Sequence, residues 1–193
     1  MSTAMSTSTL SDNLPDYTGE YREGLAFVRR GGKCGYADEL GAVVIPLEYE
    51  CEVDGRFVFD FFSEGLAALC KDGHFGFVDK TGKTVVPFEY DYAYAFKEGL
   101  CGVQKDGKYG FVDRSGAVAV PIEYDWAYSF ADGLAPAKQN GKVGYINKSG
   151  ETVIPFVYDL ERGHTGEFCD GRAVVEFNGA KGSVDRTGAF APA

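Results

Sequence analysis

One short repeat runs through nearly the whole chain, and it restricts the possible folds more than any other feature. Each copy begins with a Gly-Leu-Ala-like triplet, and a second glycine follows eleven residues after the first. The copies start at Gly24, Gly65, Gly99, Gly133 and Gly171, and a proline recurs later in each at Pro46, Pro87, Pro121, Pro155 and Pro192. Recurrence at intervals of 34 to 41 residues indicates a chain built from copies of one supersecondary unit.

Turn signals inside the unit predict β-hairpins. Asp-Gly or Asn-Gly pairs with apolar flanks occur at 72–73, 106–107, 140–141 and 178–179. These pairs favour type I′ turns, because both residues accept a positive φ. A second signal, Asp or Asn followed three residues later by Gly, occurs at 79–82, 113–116, 147–150 and 185–188 and predicts a turn that closes on a glycine bulge. We therefore expect three strands before the fourth segment, the third ending at the proline.

A fourth segment in each unit carries most of the aromatic residues. Large side chains alternate with small or acidic ones over residues 88–96 and 122–130, and this period of two indicates extended chain. Fifteen Phe, twelve Tyr and one Trp supply enough bulk for units to pack face to face. Gly or Pro interrupts nearly every longer window, so no helix is predicted. The expected fold class is all-β.

The chain ends favour a closed ring over an open row of units. Four short strands in each of five units suggest a five-bladed, β-propeller-like ring, although an open β-repeat stack has the same local pattern. The last unit stops before its fourth segment, whereas an extra extended stretch, residues 14–21, precedes the first unit. We therefore predict that residues 14–21 complete the last sheet and close the ring. Residues 1–13 are expected to be a flexible leader, and residues 14–193 a single repeat domain.

The repeated residues resemble a known family. Residues 107–116 read Gly-Lys-Tyr-Gly-Phe-Val-Asp-Arg-Ser-Gly, and residues 153–159 read Val-Ile-Pro-Phe-Val-Tyr-Asp. Together with the Glu-Gly-Leu-Ala starts, these resemble the WG repeat family of bacterial proteins over roughly residues 14–193. The tryptophan that names the family is replaced in every copy, by Cys34, Phe75, Tyr109, Val143 and Lys181. The resemblance implies a repeat-built interaction module and brings no catalytic residues.

Charge and targeting signals exclude several partners. The formal net charge of −10 would repel phosphate backbones and anionic lipid headgroups, so we expect neither nucleic acid nor membrane as a partner. The first thirteen residues lack the positive and apolar regions of a secretory signal, and no stretch approaches transmembrane length. We expect a cytoplasmic protein.

The residues that usually carry catalysis or bind metals are not arranged for either. The five cysteines include no CxxC pair, and His74 and His164 lie far apart, so we predict neither a disulfide framework nor a metal or other cofactor. Cys101 stands where other units have alanine, whereas Cys70 aligns with polar residues and is expected to be the more reactive thiol. With no nucleophile elbow and no phosphate-binding loop, we predict that the chain is not an enzyme.

Two sets of repeated charged residues allow a functional or a structural interpretation. The first set is acidic and follows a tyrosine in each unit, at Glu50, Asp91, Asp125 and Asp159. These residues either form a carboxylate ring that holds a cation or a basic peptide, or each caps its own turn after the proline by accepting a backbone N–H, and we favour the turn. The second set precedes the second glycine, at Lys33, His74, Lys108 and Lys142. It is either a positive arc or a set of solvated hairpin residues, and we favour the latter.

Irregular spacing points to a binding face. The distance from the tyrosine after the proline to the phenylalanine before the next unit is 6 residues in two units, but 13 and 10 in the others. Both insertions enter the same loop, and insertions on one face often mark a binding surface, although surface loops also tolerate insertions without a function. The candidate binding residues are those of the insertions and the aromatic residues of the same segment, Arg56, Phe57, Arg162, His164, Tyr92 and Trp126.

Two functions fit these observations. The first is a non-enzymatic module that binds a protein or peptide or acts as a scaffold. The alternative is a carbohydrate-binding domain whose exposed aromatic residues stack on sugar rings.

Overall fold

The computed structural model describes residues 16–53, 56–57, 61–160 and 163–193, with the backbone alone for residues 53, 56 and 57. All regular elements in these ranges are β-strands, which confirms the all-β fold class and the five units. None of the described residues forms a helix that is long and apolar enough to cross a membrane.

The strands follow the repeat. The first unit has β1 (Tyr17–Arg22), β2 (Leu25–Arg30), β3 (Lys33–Asp38) and β4 (Val43–Glu50), followed by β5 (Glu52–Val53) and β6 (Arg56–Phe57). The second has β7 (Leu66–Lys71), β8 (His74–Asp79), β9 (Thr84–Tyr90) and β10 (Tyr92–Ala93). The third has β11 (Leu100–Lys105), β12 (Lys108–Asp113), β13 (Val118–Tyr124) and β14 (Trp126–Ala127). The fourth has β15 (Ala135–Gln139), β16 (Lys142–Ile146) and β17 (Thr152–Tyr158), and the fifth has β18 (Arg172–Phe177), β19 (Ala180–Asp185) and β20 (Phe190–Pro192).

The fourth segment of a unit pairs with the first strand of the following unit. Sheet orders are β10-β11-β12-β13 and β14-β15-β16-β17, so β10 and β14 each complete the sheet of the next unit. Where the chain carries the larger insertion, β5 and β6 pair with each other instead. The first two units share one sheet through a single pair, Glu50 and Cys70.

Local chemistry explains the turns. Asp72 and Gly73 both have positive φ, at 54° and 78°, as a type I′ turn requires. A second set of turns of this kind precedes each first strand, for example at Glu98 and Gly99 with φ of 55° and 86°. In the later turn of the unit, Oδ1 of Asp113 accepts hydrogen bonds from the amide and hydroxyl of Ser115, at 2.8 and 2.6 Å. The aspartate there is a turn residue, as the sequence predicted.

The prediction that the third strand ends at the proline is wrong. Pro121 lies inside β13, and Pro155 lies inside β17. Both strands are at the edge of their sheets, where a missing N–H facing outward removes no ladder hydrogen bond. The strand therefore continues into the aromatic residues that follow the proline.

The core lies between units. Four clusters of buried residues each join one unit to the next, and none of the four contains residues of both the first and the fifth unit. At the centre of each cluster an aromatic residue contacts the phenylalanine that precedes the next unit, with ring centroids 4.7 to 4.9 Å apart. The aromatic residue belongs to β3, β8, β12 or β16. The pairs are Tyr36–Phe62, Phe77–Phe96, Phe111–Phe130 and Tyr145–Phe168.

The predicted mode of ring closure is wrong, and the sheets are open. β1 pairs with β2 of the first unit, with Tyr17 opposite Arg29 and Tyr21 opposite Ala26, and the last sheet consists of β18, β19 and β20. The N-terminal segment does act as a fourth strand, but for the first unit. A two-residue turn at Glu23 and Gly24 joins β1 to β2, and this local pairing costs far less chain entropy than pairing with a strand some 150 residues away.

The fifth unit has polar residues on the face that earlier units turn toward a following unit. Arg172 stands where the other units have leucine, and Ser183 stands where they have Tyr or Phe. The Arg172 Nε donates a hydrogen bond to Ser183 Oγ at 2.8 Å. A polar outer face is the feature expected of a terminal unit in an open stack, the alternative that we weighed against the ring.

Candidate functional site

Four short segments, each just before the first strand of a unit, lie side by side. These convergent segments, residues 61–63, 95–97, 129–131 and 167–169, each form a β-bridge with the start of the following strand. The acidic residue of one turn accepts a hydrogen bond from the glycine N–H of the turn in the next unit. The pairs are Glu23 with Gly65, Glu64 with Gly99, Glu98 with Gly133 and Asp132 with Gly171. These bonds tie the turn before the first strand of each unit to the corresponding turn of the next unit.

The row of convergent segments is strongly curved. Lys97 Nζ lies 2.8 Å from Glu167 Oε1, although one complete segment, 129–131, lies between theirs in the repeat order. In a flat stack, β-sheets pack about 10 Å apart, so segments two units apart would be about 20 Å from each other. The ion pair therefore requires the segments to turn around a common centre.

A cavity of about 330 Å³, which we call the convergent cavity, lies at this centre. Its lining comes from all four convergent segments and the residues next to them, Phe61, Ser63, Tyr94, Ala95, Phe96, Lys97, Tyr128, Ser129 and Glu167. One wall is aromatic, with the ring centroids of Tyr94 and Tyr128 5.0 Å apart and the rings edge-on at an interplanar angle of 71°. The other wall carries the Lys97–Glu167 ion pair, and Thr165 Oγ1 donates a hydrogen bond to Glu167 Oε2 at 3.1 Å. The cavity offers both stacking surface and charge.

The charges of Glu167 and Lys97 on the polar wall change the pKa of Tyr128 on the aromatic wall. Burial raises the pKa of the Tyr128 hydroxyl, the negative charge of Glu167 raises it further, and the ammonium of Lys97 partly offsets both. Tyr128 therefore remains a protonated hydrogen-bond donor throughout the physiological pH range. The cavity is thus lined by a hydrogen-bond acceptor (Glu167), a donor (Tyr128) and a cation (Lys97), as expected for a site that orients a bound group.

Two of the six candidate binding residues stand behind this cavity. Tyr92 packs edge-on against Tyr94 at 5.1 Å, and Trp126 stacks on Tyr128 at 6.1 Å with an interplanar angle of 14°. Both are partly buried. They support the aromatic wall, and neither lines the convergent cavity itself.

The other four candidates lie in the insertions. Arg56 and Phe57 form strand β6, and their side chains are not described. Arg162 lies outside the described residues, and His164 is exposed in a loop. Their role in binding stays a prediction.

Sequence reasoning missed two residues at the ends of the insertions. Phe61 and Glu167 lie immediately before the repeated phenylalanine of their units and line the same cavity. Regular units have Ala95 and Ser129 at this position, so a large or charged residue there was a signal available in the sequence. The two insertions therefore end at a common cavity.

The lysines of the second repeated set form ion pairs with acidic residues of the first, whereas His74 bonds to the Asp72 carbonyl at 3.0 Å. Lys108 lies 2.6 Å from Asp125 and Lys142 lies 2.7 Å from Asp159, while the Lys33–Glu50 distance is 4.0 Å. The second oxygen of Asp125 accepts a hydrogen bond from the Asn140 N–H, so this aspartate caps the hairpin turn of the next unit and not its own turn after the proline, as the turn interpretation had it. The Lys108 ammonium, chiefly through its hydrogen bond, holds the pKa of Asp125 below its usual range.

Among the described residues, no group of three or more His, Cys, Asp or Glu is placed to hold a metal ion.

The prediction that Cys70 is more reactive than Cys101 stays a prediction, because both thiols are buried. Cys70 is buried, and its Sγ lies 3.1 Å from Glu50 Oε2. Burial, together with the hydrogen bond to Glu50, raises the pKa of Cys70 to about 12. Cys101 is fully buried in its alanine position, whereas Cys169 is exposed. The polar residues that align with Cys70 do not predict exposure, because in this unit the position packs against the preceding one.

Comparisons with known proteins bear on family and fold. The family model described as WG containing repeat matches residues 16–34, 35–73, 75–109, 109–142 and 144–179. Among solved structures, the chain is similar to the extracellular domain of BT4673 from B. thetaiotaomicron, with 14% identity, a TM-score of 0.45, and coverage of 98% of this chain and 31% of that chain. For the extracellular domain of BT3049 from the same organism these values are 10%, 0.43, 97% and 30%. The chain spans about a third of the length of either, and a comparison with curated proteins gave no match.

Proposed function

The chain belongs to the family of WG containing repeats, and from that premise we propose that it is a non-enzymatic module that binds a protein or peptide at the convergent cavity. The observation that carries the proposal is the position of Phe61 and Glu167. These two residues end the only long insertions of an otherwise regular repeat, and they meet at one cavity formed by four convergent segments.

The chemistry of the cavity suits one anchoring side chain of a partner. A volume of about 330 Å³ is at the lower end of the range for ligand sites, which is enough for a side chain but not for a folded element. Tyr94, Tyr128 and Phe61 offer aromatic surface, and the Lys97–Glu167 pair offers charges of both signs. Aromatic residues around a small pocket are typical of interaction hot spots.

Selection from a displayed peptide library, followed by calorimetric titration of the enriched peptides, tests this proposal. We expect Tyr128→Ala to weaken binding by about 30-fold or more, as expected for a hot-spot aromatic residue. Glu167→Gln keeps the shape of the side chain but removes its charge, and we expect it to weaken binding as well. Val118→Thr, at a residue that is 55% exposed on a strand edge, is the control and should bind as the wild type does.

Two results would contradict the proposal: no peptide is enriched, or enriched peptides bind Tyr128→Ala and Glu167→Gln as tightly as the wild type. Thermal unfolding of each variant separates lost binding from lost folding.

We also propose a cytoplasmic location, with neither nucleic acid nor membrane as a partner, and cell fractionation tests the location. The formal net charge of −10 supports the second part of this proposal.

A further inference from the structure

A second cavity lies beside the sole tryptophan, and it is separate from the convergent cavity. It measures about 620 Å³ and is lined by Asp125, Trp126, Lys138, Gly141, Val143, Asp159 and Leu160. Trp126 pairs with Lys138, and Lys138 pairs with Val143, on three neighbouring strands. Since directly opposed residues of antiparallel strands point to the same face, these three side chains form one row along the cavity.

Small side chains at two positions of the repeat open this space. The equivalent row in the preceding unit is Tyr92, Gln104 and Tyr109. Val143 takes the position of Tyr109, and Leu160 takes the position of Trp126. Two aliphatic residues therefore stand where the third unit has two large aromatic residues. The space that they leave lies against the partly buried indole of Trp126.

The polar groups around the indole leave only one charge in excess. Asp125 and Asp159 supply carboxylate acceptors, and Lys138 supplies an ammonium donor. Each carboxylate is already paired with a lysine of its own hairpin, at 2.6 and 2.7 Å, so the excess charge of the wall is the single ammonium of Lys138. Such a lining selects against a strongly charged ligand and suits a neutral one that carries many hydroxyl groups.

We propose that this cavity binds a neutral carbohydrate of one or two sugar rings. The indole of Trp126 packs against the apolar C–H face of a ring, Asp125 and Asp159 accept hydrogen bonds from hydroxyl groups, and Lys138 donates one to a ring or hydroxyl oxygen. This ligand class differs from that of the convergent cavity, so a negative result for one proposal does not contradict the other.

The single tryptophan makes a direct test available. Because Trp126 is the only tryptophan of the chain, its fluorescence reports on this cavity without a label. We would titrate the protein with maltose, cellobiose, lactose and mannose up to about 50 mM, a range that covers millimolar affinity. A saturable change in emission with at least one of these sugars is expected. No change with any of them would overturn the proposal.

A variant that fills the cavity tests the location. Val143→Tyr gives the fourth unit the residue of the third, where Tyr109 opposite Tyr124 is already accommodated, and Val143 is likewise opposite Tyr158. We expect this variant to lose at least about tenfold in sugar affinity. Val174→Tyr adds the same side chain at an exposed position of the fifth unit and should titrate as the wild type does. An undiminished response in Val143→Tyr would overturn the proposal.

Two further measurements separate this site from its alternatives. Lys138→Gln keeps the cavity open and should weaken sugar binding, which tests the proposal even if Val143→Tyr fails to fold. Lys97→Gln alters only the convergent cavity and should leave the sugar response unchanged. An equal response to free arginine or glutamate would show that the cavity binds charged groups, and it would overturn the assignment to neutral sugars.

Discussion

Replacing Gly110 with alanine tests whether the close approach of the second and third strands is a requirement of the unit. Gly110 lies where the pairing of β12 with β13 shifts register, at a bulge. A Cβ added at this residue would lie 2.6 Å from the carbonyl oxygen of Pro121 and 2.7 Å from the Cα of Ile122. Both neighbours are backbone atoms, so no side-chain rotation relieves the contact.

The size of the effect follows from these distances. Ordinary contact begins at 3.4 Å, so the carbonyl must move by about 0.8 Å, within a strand that β12 holds by hydrogen bonds. Overpacking of this kind costs about 1–3 kcal/mol, and rigid backbone on both sides places Gly110→Ala near 3 kcal/mol. For a chain of this length, that corresponds to a fall of about 6–12 °C in the melting temperature.

Gly19→Ala is the matched control. Gly19 also lies in a strand, but a Cβ there would meet its nearest neighbours at 3.6 Å, which is ordinary contact. This substitution should change stability by less than about 1 kcal/mol, because it only restricts the unfolded chain. Urea unfolding and thermal melting, followed by circular dichroism, measure both variants. Equal urea midpoints for Gly110→Ala and Gly19→Ala would refute the reasoning.

Three further predictions concern acid, thiols and the N-terminal strand. Hydrogen bonds from its own turn, chiefly a serine hydroxyl, hold the pKa of Asp113 low, so its contribution to stability is complete above its unfolded pKa of about 3.9 and is lost as the pH falls through the lower folded value. Asp113→Asn, which copies Asn147 of the next unit, should reduce the pH dependence of the urea midpoint below about pH 4; an unchanged pH dependence would argue against it. A thiol reagent should modify the native protein first at Cys169, and equally fast labelling at Cys70 would contradict the burial described above. Deleting residues 1–22 should lower stability by only about 1–3 kcal/mol, because β1 is largely exposed and contributes mainly hydrogen bonds to β2; an unchanged melting temperature would show that this pairing adds nothing.

Much of the unit itself was predictable, because its features depend on residues close in sequence. The glycines and the Asp-Gly pairs require particular backbone angles, and Asp72 and Gly73 adopt them. The aspartate of the later turn bonds to amides two and four residues ahead, as at Asp113. The turns before each first strand were missed, although they too have positive φ, because three of the five are Glu-Gly pairs, which are weaker signals than Asp-Gly or Asn-Gly.

The sequence by itself determined the β class, the number of units and the turns within each, since these follow from local backbone preferences. Only the tertiary structure decided which strand each connecting segment joins, because all units offer nearly the same edge and a repeated pattern cannot distinguish one neighbour from another. The tertiary structure placed β1 on the first unit and brought Phe61 and Glu167 to one cavity. It also placed the space left by Val143 beside Trp126. Both cavities depend on curvature and packing between units, and these are set by contacts between residues far apart in the chain.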